Sequence, residues 1–508
     1  MRPPVCQRFP GPDLQNLLEG GLPVDLKDSG VTLDFDFFCL LVGFLWLLDL
    51  ICFLPLFNVA FAKIEERGYQ GDNRQLADRL KLGWFLAAIG LMVGGRFWKL
   101  CTSLFFYVVY RHYYIDTRWS SIRRGFGAPG FMSHWTAFYL VLLQMTAFLD
   151  GSGALPLQVW WVMQVDFAVI MVCAGTYKYM VGYVHHDGME YGCVNPFWGY
   201  FWRLFLKAHP RAWYFRVMNF FASAVEVVAG ILMLFPPTRV VGAVAISLSF
   251  LYVALLVRLG RLAFLMMVLP FLYFPDFGPS LVASTPFHVD TPTFLLSALH
   301  GITWAFLAML PVAKFTQYYN LFANRSLPQP LQKWVAHYAN QVPIIMWRVF
   351  TPDVTNFYVR IYEEDPATGE SRALLDHDTF SMRNWSWLKL RFLHVTESIA
   401  SVSVFTTLKY FPSNRALFNE KLIKYSLSLQ HGLGRPVERL RYEYVLIHKL
   451  PDQFFLWHVG NFRVDLNNHQ VSEEKLVPDF DFTAPSKFSP VRESDSVGVF
   501  TPKPAHST

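Results

Sequence analysis

Apolar segments long enough to cross a bilayer recur through the first two-thirds of this 508-residue chain, and they constrain its fold more than any other feature. They cover about residues 37–62, 82–110, 131–149, 155–184, 214–235, 240–257, 262–274 and 294–312. The second is interrupted by Gly94-Gly95-Arg96 and Lys99, so it reads as one long tilted helix or as a broken pair. Pro236-Pro237 stops the fifth. Hydrophobic residues make up 53% of the chain and charged residues only 16%, well below the quarter usual in soluble domains. Mean hydropathy is +0.28. A polytopic integral membrane protein is expected, with the lipid bilayer as its first partner. The net charge of +6 fits basic loops, and no clustered basic face calls for nucleic acid.

Several of these segments carry a charge. Lys178 lies near the end of the fourth, Glu226 in the middle of the fifth, Asp49 in the first and Asp166 in the fourth. An intramembrane charge is costly and is rarely left unpaired. Lys178 reads in three ways: a desolvated amine acting as base, a structural lysine paired with a carboxylate, or one reaching outward to the headgroups. Glu226 is too deep for water and needs a partner; Lys178 and Asn219 are candidates. Asp166 precedes Lys178 by twelve residues, about 18 Å of helix, so the two cannot meet within it. His134, opening the third segment, reads either as a group orienting a ligand or as an interfacial histidine at a helix start.

Other chemistry finds little support. The six cysteines form no CxxC pair, and no disulfide framework is expected. His185-His186-Asp187 and Glu190 are ligand-type residues without metal spacing, so no metal site is expected. Nucleotide-binding and serine-hydrolase motifs are missing. The aromatic stretch 195–202 suggests an interfacial amphipathic helix, because Trp and Tyr favour that zone.

Four regions follow: a polar segment 1–36, transmembrane helices over 37–315, a soluble α/β appendage over 316–470 and a disordered tail over 471–508. The fold class is an all-α transmembrane bundle of about eight spans with a small C-terminal α/β domain. In the appendage, 356–362 reads as a strand and Asp365-Pro366-Ala367-Thr368-Gly369 as a turn. Residues 386–411 and 414–430 read as helices, the latter with Asn414 as cap. Residues 442–448 and 454–465 read as strands.

Ala174-Gly175-Thr176-Tyr177-Lys178, with Pro156-Leu157 upstream, resembles the core motif of the HTTM superfamily, which includes the vitamin K-dependent gamma-carboxylases and, by likeness, the lipase maturation factors. Glu226-Val227-Val228-Ala229-Gly230 matches the carboxylases' next helix. Val194-Asn195-Pro196-Phe197, followed by Asn219 and Glu226, looks more like a lipase maturation factor. The carboxylase resemblance implies that Lys178 is the base that deprotonates vitamin K hydroquinone, with His134 assisting, although Ser133 and Thr136 replace the family's flanking Asn and Tyr. The maturation-factor resemblance implies a non-enzymatic helper of a client protein. The second implication is put first, since the appendage is smaller than the carboxylases' recognition domain.

Overall fold

A computed structural model describes residues 34–61, 74–111, 127–183, 188–283, 291–322, 328–331, 333–334, 355–375, 394–410, 412–433 and 435–483. The His185-His186-Asp187 cluster and most of the N-terminal segment lie outside these residues.

The chain is mostly helical. Its elements are α1 (Phe35–Phe61), α2 (Arg74–Val93), α3 (Arg96–Arg111), α4 (Gly127–Leu149), α5 (Ala154–Met180), α6 (Met189–Val194), α7 (Trp202–Leu206), α8 (Trp213–Met233), α9 (Arg239–Leu256), α10 (Arg261–Val268) continued by a 3-10 turn (Leu269–Tyr273), α11 (Phe277–Ala283) and α12 (Thr293–Phe322). Then come β1 (Phe357–Glu364), β2 (Ser371–Leu375), α13 (His394–Phe405), α14 (Thr407–Tyr410), α15 (Arg415–Leu433), β3 (Arg439–Lys449), β4 (Phe454–Asp465) and β5 (Gln470–Lys475). Among the described residues, four helices are long and apolar enough to cross a membrane: Ala154–Met180, Trp213–Met233, Arg239–Leu256 and Thr293–Thr316.

Side-chain contacts fix the helix directions. The glycine pair at 94–95 breaks the second apolar segment, and α2 and α3 fold back antiparallel. Trp84, midway along α2, meets Tyr110 at the end of α3, their ring centroids 5.5 Å apart. Helices α5 and α8 are also antiparallel and pack closely. A Cβ at Gly175 would lie 2.5 Å from the Ser223 carbonyl, and one at Gly230 would lie 2.9 Å from that of Ala168. Glycine at both positions lets the backbones approach, as small residues do between membrane helices. Gly175 is the residue that precedes Thr176-Tyr177-Lys178, so the motif's glycine has a packing role.

The C-terminal region is a five-stranded antiparallel sheet of order β2-β1-β3-β4-β5. One face packs on α13–α15 through rings: Phe405 touches Phe418, Tyr442, Tyr444 and Phe462. Asn414 caps α15, accepting from the Leu417 N–H at 3.1 Å. In the turn between β1 and β2, the Asp365 carboxylate accepts from the Ala367 N–H and the Thr368 hydroxyl, and Gly369 takes φ 71°.

Two sequence expectations are corrected here. The tail does not begin at 471: β5 runs to Lys475, and Phe482 is buried against Tyr444 and Phe462. An edge strand needs only backbone pairing on one side, so the polar Gln470-Val471-Ser472-Glu473-Glu474-Lys475 shows little of the usual strand pattern. The stretch 195–202 is not an interfacial amphipathic helix either. Residues 192–200 are all buried. They form a plug between the helices and the sheet, with Gly199 bridging to Val257.

Candidate functional site

Among the described residues Asp36, Asp49, Asp166 and Glu226 each meet a cation from another helix. The Lys178 ammonium on α5 donates to Glu226 Oε1 on α8 at 2.5 Å and to the Ala222 carbonyl at 3.3 Å. Asp166 on α5 pairs with Lys314 on α12. It also accepts from Trp135 Nε1 at 2.8 Å and from the Tyr139 hydroxyl at 2.9 Å, both on α4. Asp49 on α1 pairs with Arg261 on α10 and accepts from the Tyr110 hydroxyl at 3.2 Å. Asp36 on α1 accepts from Lys99 on α3 at 2.6 Å. Except for Asp36, these groups are buried on both sides of each pair. A charge inside a low-dielectric bundle is tolerable only when paired and hydrogen-bonded, so each pair fixes which helices can be neighbours.

The arrangement separates residues that the sequence could place together. Asn219 does not serve Glu226. Its side chain donates to Glu190 Oε2 at 2.8 Å and accepts from the Met189 N–H at 2.7 Å. His134 shares no partner with Lys178. It immediately precedes Trp135, which reaches Asp166, while Lys178 lies twelve residues past Asp166, a rise of about 18 Å. The two therefore sit at different depths in the bundle. His134 is fully buried, its ring stacked on Tyr107 at 5.3 Å, and neither ring nitrogen has a hydrogen-bond partner.

A second polar site joins the bundle to the sheet. Asn195 sends its side-chain N–H groups to the Thr355 and Phe357 carbonyls at 2.7 and 2.9 Å, while its oxygen accepts from the Phe197 N–H at 2.8 Å. Glu190, fully buried, accepts from Lys449 on β3 at 3.3 Å. Phe197 meets Tyr358, and Phe215 meets Phe454. Arg258 holds the plug from beneath, donating to the Pro196 carbonyl at 2.7 Å. Burial pushes the Cys193 thiol up to about 12, with the Glu190 charge adding to it, so this cysteine is a packed, protonated side chain rather than a nucleophile. Among the described residues no cluster of His, Cys, Asp and Glu could hold a metal ion.

Arg261, Lys314 and Lys449 escape sequence reasoning. Arg261 and Lys314 lie at the ends of apolar segments, where a cation ordinarily reaches for the headgroups. Comparison with protein-family models, with curated proteins and with solved structures finds no match to this chain.

Proposed function

We propose that this is a multi-pass membrane protein of the HTTM type, with about eight crossings, that acts as a maturation or assembly factor for a client protein. The observation that carries the reading is the Lys178–Glu226 pair. An amine held at 2.5 Å by a buried carboxylate, and by a backbone carbonyl besides, supports a strut over a free base. Asp49 and Asp166 are held by buried cations in the same way. The sheet is fastened to the buried plug through Asn195, which supports its role as a platform held at a set position over the membrane helices.

The test uses the full chain in its own membrane. A photo-crosslinking residue at exposed Asn468, in the β4–β5 turn, should capture a recurrent client, and Asn195→Ala should weaken capture several-fold. No enriched protein in a background where the chain is functional would overturn the reading. Lys178→Ala should lower the amount of folded protein, and Lys178→Ala/Glu226→Ala should restore part of it.

A second reading is a quinone- or lipid-dependent membrane enzyme with Lys178 as base, in which His134, at its own depth in the bundle, would offer the ligand a separate contact. A buried imidazole with both nitrogens unpartnered is unusual in a protein interior and suits a ligand carrying an oxygen. Under this reading Lys178→Ala abolishes hydroquinone-dependent turnover while protein levels hold. Loss of protein, with turnover per folded molecule unchanged, would rule it out.

A further inference from the structure

The plug leads into a surface unlike any other on the described chain. From Tyr191 to Val225 the sequence holds no Asp or Glu, yet it carries Arg203, Lys207, Arg211 and Arg216. All four are exposed. Arg203 lies over the Trp202 ring at 5.2 Å. Lys207, Arg211 and Arg216 form no ion pair among the described residues. Large apolar side chains stand between them: Leu204 is 68% exposed and Trp213 73%. The Phe205 ring contacts Tyr214 and Phe215, so α7 folds back on the first turn of α8 and gathers these cations in one place.

The position is also set along the helix. Trp213, Arg216 and Phe220 follow one another at helical spacing on α8, and exposed Val217, Phe220, Phe221 and Val228 continue away from the plug. This outward face is apolar along the span and basic at its end. That is the profile of a surface crossing from acyl chains into phosphate headgroups.

We propose that Arg203, Lys207, Arg211 and Arg216 form a docking surface for anionic phospholipid headgroups, with Leu204 and Trp213 inserted among the adjoining chains. It follows that this end of the bundle, and the sheet fastened to it, face the cytoplasmic leaflet, where anionic lipid and the positive-inside bias coincide. The helix directions agree. The opposite end carries Asp34, Asp36, Asp150 and Asp276 against Arg96, Lys99 and Arg239, and Arg96 and Lys99 both face Asp36, so no net positive charge gathers there. The proposal rests only on reading the helices as membrane crossings, not on the client.

Binding of phosphatidylglycerol and phosphatidylcholine to the purified full chain, counted by native mass spectrometry from detergent, tests it. Phosphatidylglycerol should be preferred, and the preference should fall with salt. Each surface cation contributes about fivefold, so Arg203→Gln/Lys207→Gln/Arg211→Gln/Arg216→Gln should cut the preference at least about tenfold. The three Arg→Lys changes together should keep it. An unchanged preference in the glutamine variant overturns the proposal, as does equal binding of the two lipids by the native chain. Retention by a soluble acidic protein instead would assign the patch to a protein partner. An impermeant thiol reagent should reach Asn468→Cys, in a chain freed of its own cysteines, only after cells are opened. Labelling of intact cells would overturn the cytoplasmic placement. Client capture is a separate readout, so failure of either proposal leaves the other legible.

Discussion

Asp166 in the bundle is 2% exposed and receives Lys314, Trp135 and Tyr139, whereas in the sheet domain Glu363 receives Arg435, itself 41% exposed. The bundle brings few charges inside and ties Asp49, Asp166 and Glu226 each across two helices. The sheet domain keeps most of its ion pairs partly in water, among them Arg415–Glu473 and Arg463–Glu474, and buries rings instead. The same residue types thus do different work. A buried pair specifies which helices are neighbours, and losing one partner leaves a charge stranded. A surface pair is screened by water and adds little.

The largest effect that would break this contrast lies at Asp166. Asp166→Ala strands the Lys314 ammonium and removes the acceptor of two buried donors. A loss of about 3–5 kcal/mol is expected, enough to remove most folded protein from a detergent chromatogram. Adding Lys314→Met should recover much of it, because an apolar replacement of both partners is often neutral. If Asp166→Ala runs as a monodisperse peak with an unshifted melting midpoint, the bundle is not held by its ion pairs. The next effect is steric. Gly175→Leu drives a side chain into the Ser223 carbonyl on α8, and the backbone there cannot move aside. A loss of about 1–3 kcal/mol is expected, read in the same melts. Gly301→Leu is the control, because nothing lies within 4 Å of a Cβ at Gly301.

What the sequence reveals divides along the same line. Asp49, Asp166 and Glu226 stand out because a carboxylate within an apolar run has no local way to reach water. The partners of two of them do not stand out. Lys314 closes its segment and reads as the start of the soluble region, and Arg261 reads as a flank. Lys178 and Glu226 can be paired in advance only because both are internal and lie on successive segments. His134 and Lys178 look like collaborators in a motif, yet the antiparallel α4–α5 pair sets them at different depths. In the appendage, β1, β3 and β4 are legible from aromatic and β-branched residues, and Asn414 from its capping chemistry. Strands β2 and β5 are not, because a polar edge strand is defined by its neighbour. The plug misleads for a physical reason as well. Its Trp and Tyr residues suit a membrane interface, and only tertiary packing, with Arg258 over Tyr200 and Gly199 against Val257, makes them buried.

A smaller effect is expected at the joint between the two regions. Lys449→Ala leaves the buried Glu190 carboxylate with Asn219 as its side-chain donor. About 1–3 kcal/mol of docking is at stake. Hydrogen exchange should quicken in β3 and β4 while the α5–α8 pair stays protected. Equal quickening in both would mean that bundle and sheet open as one unit, and the contrast drawn above would lose its meaning for dynamics.

The smallest effect belongs to the surface pair. Hydrogen bonds from the Arg435 guanidinium, more than its charge alone, hold the Glu363 carboxyl below its ordinary 4.5. A depressed folded value means that the native state binds this proton less readily than the unfolded chain does. The contribution is therefore complete above the unfolded value and is lost as pH falls through the lower folded one. Glu363→Gln removes it, so the native chain and the variant should differ slightly at pH 7 and converge as pH drops below 4.5. Because both side chains are partly in water, the difference should be a small fraction of that at Asp166 and should shrink with added salt. A gap that widens on acidification, or one that rivals Asp166→Ala, would show that this pair is shielded from water. The sheet would then be using charge as the bundle does.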